Sequence, residues 1–275
     1  MENIYIILLC GLLISLVSIS GVVLLNLHPR IAYFVEKNLL YLSAVSAGVF
    51  IVTSTLLMRE TFEILSVPQS LIAFGSGGIL YLILHHVLSP HRHMGKSHIH
   101  AHDEKKAGWK IIIGDTLHNI ADGLLLVASF GSSVALGISN ALSIALHETP
   151  QEISEFIVLK KSGFTNNEAV YRNLASALSI FIGIAIGILF ITTAVLQAYL
   201  LGITATFFLG IVFTDLFPIK RLLKSGKFIK IFSALCIGIV FMTIVQLSLG
   251  HEHSHSALPH DHEENHHESY DHDQY

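Results

Sequence analysis

Asp115-Thr116-Leu117-His118-Asn119-Ile120-Ala121-Asp122-Gly123 and His147-Glu148-Thr149-Pro150-Gln151-Glu152 each lie inside an otherwise apolar run. From Ile111 to Leu159 there are five carboxylates, Asp115, Asp122, Glu148, Glu152 and Glu155, with two histidines and no Lys or Arg. Polarity is expensive in such a setting. A charged side chain at bilayer depth costs roughly 3 kcal/mol even on the lenient insertion scale, so several together need a compensating positive charge. With no basic residue at hand, that charge has to be a proton or a metal ion.

Spacing favours the metal. Residues four apart in a helix share a face, so His118 stacks with Asp122, His147 with Gln151, and Glu148 with Glu152. Lys110 and Lys160 mark one membrane surface if the two segments run antiparallel through a short turn at Phe130–Ser133. At about 1.5 Å per residue, His118 and Glu152 lie about 12 Å from that surface, and Asp122 and Glu148 about 18 Å from it. Both sets then fall near the middle of a hydrocarbon core about 30 Å thick. Imidazole nitrogen with carboxylate oxygen suits zinc and other first-row divalent ions, whereas an all-oxygen set suits magnesium or calcium.

Working outward, the 275 residues are 52% hydrophobic and 13% charged, with a mean hydropathy of +0.63. That composition excludes an ordinary soluble globule and reads as an all-α, polytopic membrane protein. Eight spans are expected, at about 4–26, 40–58, 70–88, 110–130, 133–159, 171–193, 195–218 and 229–249. Fifteen of the sixteen basic residues fall between alternate pairs of these spans, leaving only Arg59 on the opposite side. Both termini are therefore expected to be extracytoplasmic. The first segment, preceded by Glu2 rather than a basic region, reads as a retained span. Cys10 and Cys236 both lie in apolar runs and read as packing residues.

Residues 1–250 are read as one transporter-like unit. Within it, 89–109 form a cytoplasmic histidine-rich loop carrying His91, His93, His98, His100 and His102, which either buffers metal or is simply solvated. Residues 251–275 hold eight histidines and seven acids, with no Lys, Arg or aliphatic run, and are expected to be an external disordered tail. His251, His253, His255, His260 and His262 there either capture metal as accessory ligands or merely keep the tail soluble. Thr53, Ser54 and Thr55 either bond to their own helix or line a cation path. Glu60 and Glu63 either attract cations or form a solvated face. Asp115 is a candidate for a cation pathway, and Asp215 either faces the polar cluster on that pathway or sits at the interface near the cytoplasmic end. Gly183 and Gly187 form a small-residue packing stripe.

The two motifs resemble those of the Zrt/Irt-like (ZIP) family of divalent-metal importers, in the subgroup with His-Asn-x-x-Asp-Gly and His-Glu-x-Pro-His-Glu in its fourth and fifth helices. Here they read His118-Asn119-Ile120-Ala121-Asp122-Gly123 and His147-Glu148-Thr149-Pro150-Gln151-Glu152. The likeness takes in the span layout, the histidine-rich third loop and the seventh-span acid, and so nearly the whole chain. The resemblance implies zinc, with iron, manganese and cadmium as further candidates, carried into the cytoplasm by a homodimer working as an elevator. It assigns metal-ligand roles to His118, Asp122, His147 and Glu148, with Asn119, Gln151 and Glu152 in the adjoining part of a centre inside the helix bundle. Zinc is then substrate. No catalytic cofactor, enzymatic activity or nucleic-acid partner is expected, and the membrane is expected to be a plasma or inner membrane, with an organelle membrane as the alternative.

The chain departs from the family pattern at three places. Gln151 replaces the second histidine of the fifth helix, Leu57 stands where a late second-helix histidine is common, and Ile180 where some relatives carry an acid. These departures bear on a second metal position, and one tight site per protomer is expected. Pro150 leaves the Leu146 carbonyl without its helical donor, which kinks the helix beside the ligands. Two other classes compete. His147-Glu148 resembles the start of a His-Glu-x-x-His protease motif, but the fifth position is Gln151. A non-transporting metal receptor leaves the mid-membrane acids unexplained.

Overall fold

The computed structural model describes residues 3–88, 101–216 and 226–250, and among them every regular element is helical. Nine helices follow in order: α1 Ile4–Leu27, α2 Pro29–Ile64, α3 Val67–Leu88, α4 Ala101–Ser132, α5 Val134–Lys161, α6 Asn166–Ala177, α7 Ile180–Phe190, α8 Ala194–Ile211 and α9 Phe228–Gly250. A π turn, Val212–Leu216, extends α8. Residues 89–100 of the histidine-rich loop, the side chain of Asp215 and the tail histidines from His251 to His262 lie outside the described residues. So do the side chains of 101–107 and residues 217–225.

Local chemistry sets the boundaries. Pro29 takes the first position of α2, where its missing N–H is no loss, and His28 before it is extended. Ser133 alone separates α4 from α5, and its hydroxyl accepts the Leu136 N–H at 3.1 Å. The expected Phe130–Ser133 turn is therefore one capping residue. A capping box of Thr165 and Glu168 opens α6. The sixth expected span, 171–193, is broken into α6 and α7, with Leu178 and Ser179 between them. Hydroxyls brace this break: Ser179 Oγ donates to the Thr116 carbonyl at 3.0 Å, and Ser15 Oγ to that of Ala177 at 3.1 Å.

Among the described residues, seven helical stretches are long and apolar enough to cross a membrane. These are Ile4–Leu27, Lys37–Ile64, Val67–Val87, Gly108–Ser132, Asn166–Phe190, Ala194–Thr214 and Phe228–Leu249. The 28-residue α5 is not among them. His147, Glu148, Gln151, Glu152 and Glu155 lower its hydropathy, so the helix that carries one motif is the one that least resembles a span.

Small residues decide which helices approach closely. A Cβ at Gly123 of α4 would strike the Ile180 carbonyl of α7, and one at Gly183 would strike that of Ile120. The glycine closing the first motif thus packs backbone on backbone, and Gly187 continues the seam against Val127. A second such crossing joins α2 to α9 through Gly48 and Gly238. α1, α4, α5, α6 and α7 pack around one another, while α2 packs with α8 and α9, and α3 with α8. The two sets meet where α5 lies against α2 and α4 against α8. Both motifs face this meeting line.

Candidate metal centre

His118 and Asp122 come from successive turns of α4, His147 and Glu148 from adjacent positions of α5, and their donor atoms converge. His118 Nε2 lies 3.1 Å from His147 Nε2. Asp122 Oδ2 is 3.7 Å from His118 Nε2 and 3.4 Å from His147 Nε2, and Glu148 Oε1 is 3.5 and 3.4 Å from the same two nitrogens. Zinc bonds of about 2.0–2.1 Å in tetrahedral array put neighbouring ligand atoms about 3.3 Å apart. The five separations bracket that edge length.

The hydrogen bonding agrees with a ligand role. His147 Nδ1 faces the Ser143 carbonyl at 3.0 Å, and since a carbonyl can only accept, Nδ1 carries the proton. With the ring neutral, its Nε2 presents a lone pair to the cluster, the arrangement that orients histidine ligands in metal sites. Asp122 and Glu148 are fully buried, and none of their four carboxylate oxygens accepts a hydrogen bond. Buried carboxylates left this way are costly unless a charge compensates them, and a divalent cation among these four atoms would do so.

A second cluster, of Asp115, Glu148 and Glu152, is made of carboxylates only, with one oxygen from each within 4.8 Å of the others. Glu148 belongs to both clusters. Asp115 is already held: Asn119 Nδ2 and Gln151 Nε2 each donate to its Oδ1 at 3.2 Å. Both oxygens of Glu152 are buried without a hydrogen-bond partner.

The sequence-derived residues therefore divide. His118, Asp122, His147 and Glu148 form the mixed cluster, Glu152 joins Asp115 in the second, and Asn119 and Gln151 turn their amide nitrogens toward Asp115. Leu57 and Ile180 are fully buried in the apolar core. Of the hydroxyls on α2, Thr55 bonds to its own helix at Val52 O and Thr53 crosses to Ser143 Oγ at 2.9 Å. Ser54 Oγ is buried and unpartnered. Glu60 accepts from Ser132 of α4 at 2.8 Å, while Glu63 pairs with Arg59 on an exposed face.

Composition and spacing did not reveal the aromatic wall. Phe50 of α2 lies with its ring centroid 4.1 Å from the imidazole of His147 and 4.3 Å from Phe208 of α8, and both phenylalanines are buried. Phe208 in turn stands 6.5 Å from His118. These rings close the mixed cluster on the α2–α8 side and keep water from screening it.

The family model described as ZIP Zinc transporter matches residues 91–246, more than half of the chain and both motif helices. The chain belongs to the ZIP family. Zinc transporter foi of Drosophila melanogaster is 34% identical over 144 residues, which are 52% of this chain and 20% of that protein. Zinc transporter ZIP10 of Homo sapiens is 36% identical over 142 residues, covering 46% and 16% respectively. Zinc transporter ZIP4 of Homo sapiens is 34% identical over 110 residues, covering 40% and 17%. The chain thus spans a fifth or less of the length of these relatives. Family membership together with the long apolar helices makes it an integral, multi-pass membrane protein of the ZIP type.

Proposed function

We propose that this ZIP-family protein carries zinc, and with lower selectivity other first-row divalent ions, across a membrane into the cytoplasm. One observation carries the reading: four buried donor atoms from α4 and α5 converge, and five of their separations bracket the tetrahedral edge. His118, Asp122, His147 and Glu148 are the proposed ligands of the transported ion. Glu148 faces both clusters, so an ion released from the imidazoles can be handed to Asp115 and Glu152, about one helical turn nearer the Lys110 and Lys160 ends. Asn119 and Gln151 hold Asp115 ready for that step.

In this reading α5 is the eighth span, its polarity tolerated because its charged face is turned inward. Both termini face away from the cytoplasm, in keeping with the segregation of basic residues. The helices that carry the ligands slide as a set past α2 and α8, as in an elevator, within a homodimer in a plasma, inner or organelle membrane. No catalytic step is proposed. The protease alternative is disfavoured because Gln151, at the position its second histidine would need, donates to Asp115.

Uptake of radiolabelled zinc into proteoliposomes, with competing iron, manganese and cadmium, tests the proposal. Saturable uptake without peptide cleavage is expected. Binding without flux would favour a receptor instead.

A further inference from the structure

Three residues of α2 touch the turn of α5 that holds His147, each in a different way. Ser46 Oγ lies 2.9 Å from the Leu146 carbonyl, and Thr53 Oγ1 donates to Ser143 Oγ at 2.9 Å. Phe50 packs its ring on the imidazole itself. The three stand at i, i+4 and i+7, so they form one stripe of α2, and all are buried.

The Ser46 contact has a specific cause. Pro150 has no N–H, so the Leu146 carbonyl loses the donor that a regular helix would supply. In hydrocarbon an unmatched carbonyl is costly, and no water is at hand to cover it. The Ser46 hydroxyl can also turn to Leu42 O of its own helix at 3.2 Å, but it has a single proton, and the shorter contact is the one to α5. The carbonyl it meets belongs to the residue immediately before His147. On the other side of that histidine's turn, Ser143 accepts the His147 Nδ1–H through its carbonyl and the Thr53 proton through its hydroxyl.

We infer that Ser46, Phe50 and Thr53 form a cradle on α2 that positions His147 for the metal, acting through the ligand and not on the ion. The inference rests on the reading of His147 as a zinc ligand. It makes α2 more than a passive wall: while α5 rests on this stripe, the Nε2 lone pair of His147 is held toward the other three donors. When α5 moves away, Ser46 falls back on Leu42 and the hold is released.

Equilibrium zinc titration of the purified full chain tests it. Ser46→Ala should raise the zinc dissociation constant about five- to tenfold, the scale of one lost buried hydrogen bond. Ser46→Thr, which keeps the hydroxyl, should stay within about twofold of wild type on the same scale. Pro150→Ala returns an N–H to Leu146, so Ser46→Ala in that background should add less than about twofold, a non-additivity expected of contacting groups. Thr53→Val keeps the shape, loses the hydroxyl and should cost about threefold. The visible absorption of bound cobalt(II), which reports tetrahedral geometry, should weaken in Ser46→Ala and recover in Ser46→Thr. Zinc binding by Ser46→Ala within twofold of wild type overturns the inference, as does a loss that persists undiminished beside Pro150→Ala. Wild-type protein that binds zinc but moves none into vesicles would overturn the transport reading and leave the cradle standing.

Discussion

The two clusters that share Glu148 differ in donor chemistry and in how they are supported. The mixed cluster sets two imidazole nitrogens against two carboxylates whose oxygens accept no hydrogen bond, under an aromatic wall. The carboxylate cluster has oxygen donors only, and amide groups already steady one of its members. Nitrogen donors raise affinity for zinc-like ions over magnesium and calcium, whereas a set of hard oxygens discriminates less and needs charge to hold an ion. In the proposed transport, the first cluster selects the ion and the second receives it.

The largest effects should come from breaking the mixed cluster. His118→Ala, Asp122→Ala and His147→Ala should each cut zinc uptake by at least tenfold while the protein still inserts, since even groups that only hydrogen-bond to a metal ligand are worth about 10–100-fold. More than about half of wild-type flux retained in all three would remove the assignment.

Acid should weaken the mixed cluster next. An imidazole must be unprotonated to bind metal, and free histidine titrates near about 6.5. Uptake should therefore fall as the outside is taken toward roughly pH 5. A flux that rises steadily with acid would point to proton-driven coupling instead.

A smaller change is expected from the carboxylate cluster. Asp115→Asn or Glu152→Gln should lower the maximal rate about three- to tenfold, while zinc affinity at the mixed cluster shifts by less than about threefold, since neither side chain supplies a donor to it. Equal losses in rate and affinity would show that the two clusters act as one. Metal counting on protein lacking the tail and the histidine-rich loop sharpens the point: one tightly held ion per protomer is expected, because mutual repulsion of two divalent ions is large in a low-dielectric site. Two would show Asp115 supplying the charge that Gln151 lacks.

The smallest expected effect is that of Gln151→Glu. It replaces an amide donor to Asp115 with another carboxylate. Metal occupancy should rise while turnover falls about two- to threefold, as added negative charge slows release. Faster turnover would mean that Gln151 obstructs the path.

Much was legible in the chain by itself, because the signals were local. Apolar runs of about 20 residues mark spans, and acids without bases at mid-depth demand a cation wherever the helices go. Spacing of four put His118 over Asp122, and Pro150 alone guaranteed a stranded Leu146 carbonyl. The helix Val134–Lys161 was also readable, although its composition keeps it from standing as a span without its neighbours.

Only the tertiary structure decided what each helix face meets. Periodicity fixes which residues share a face of one helix, but the rotation of α4 against α5 follows from contacts far away in sequence, such as the crossing of Gly123 with Gly183. That rotation turns Glu148 toward both clusters and brings Asp115 beside Glu152, 37 residues apart in the chain. It also aims the amides of Asn119 and Gln151 at Asp115, where the family resemblance implies only a place in the adjoining part of the centre. The hydroxyl that meets the stranded carbonyl comes from Ser46, 100 residues before it. A proline announces the missing donor locally, but only packing chooses the helix that supplies it.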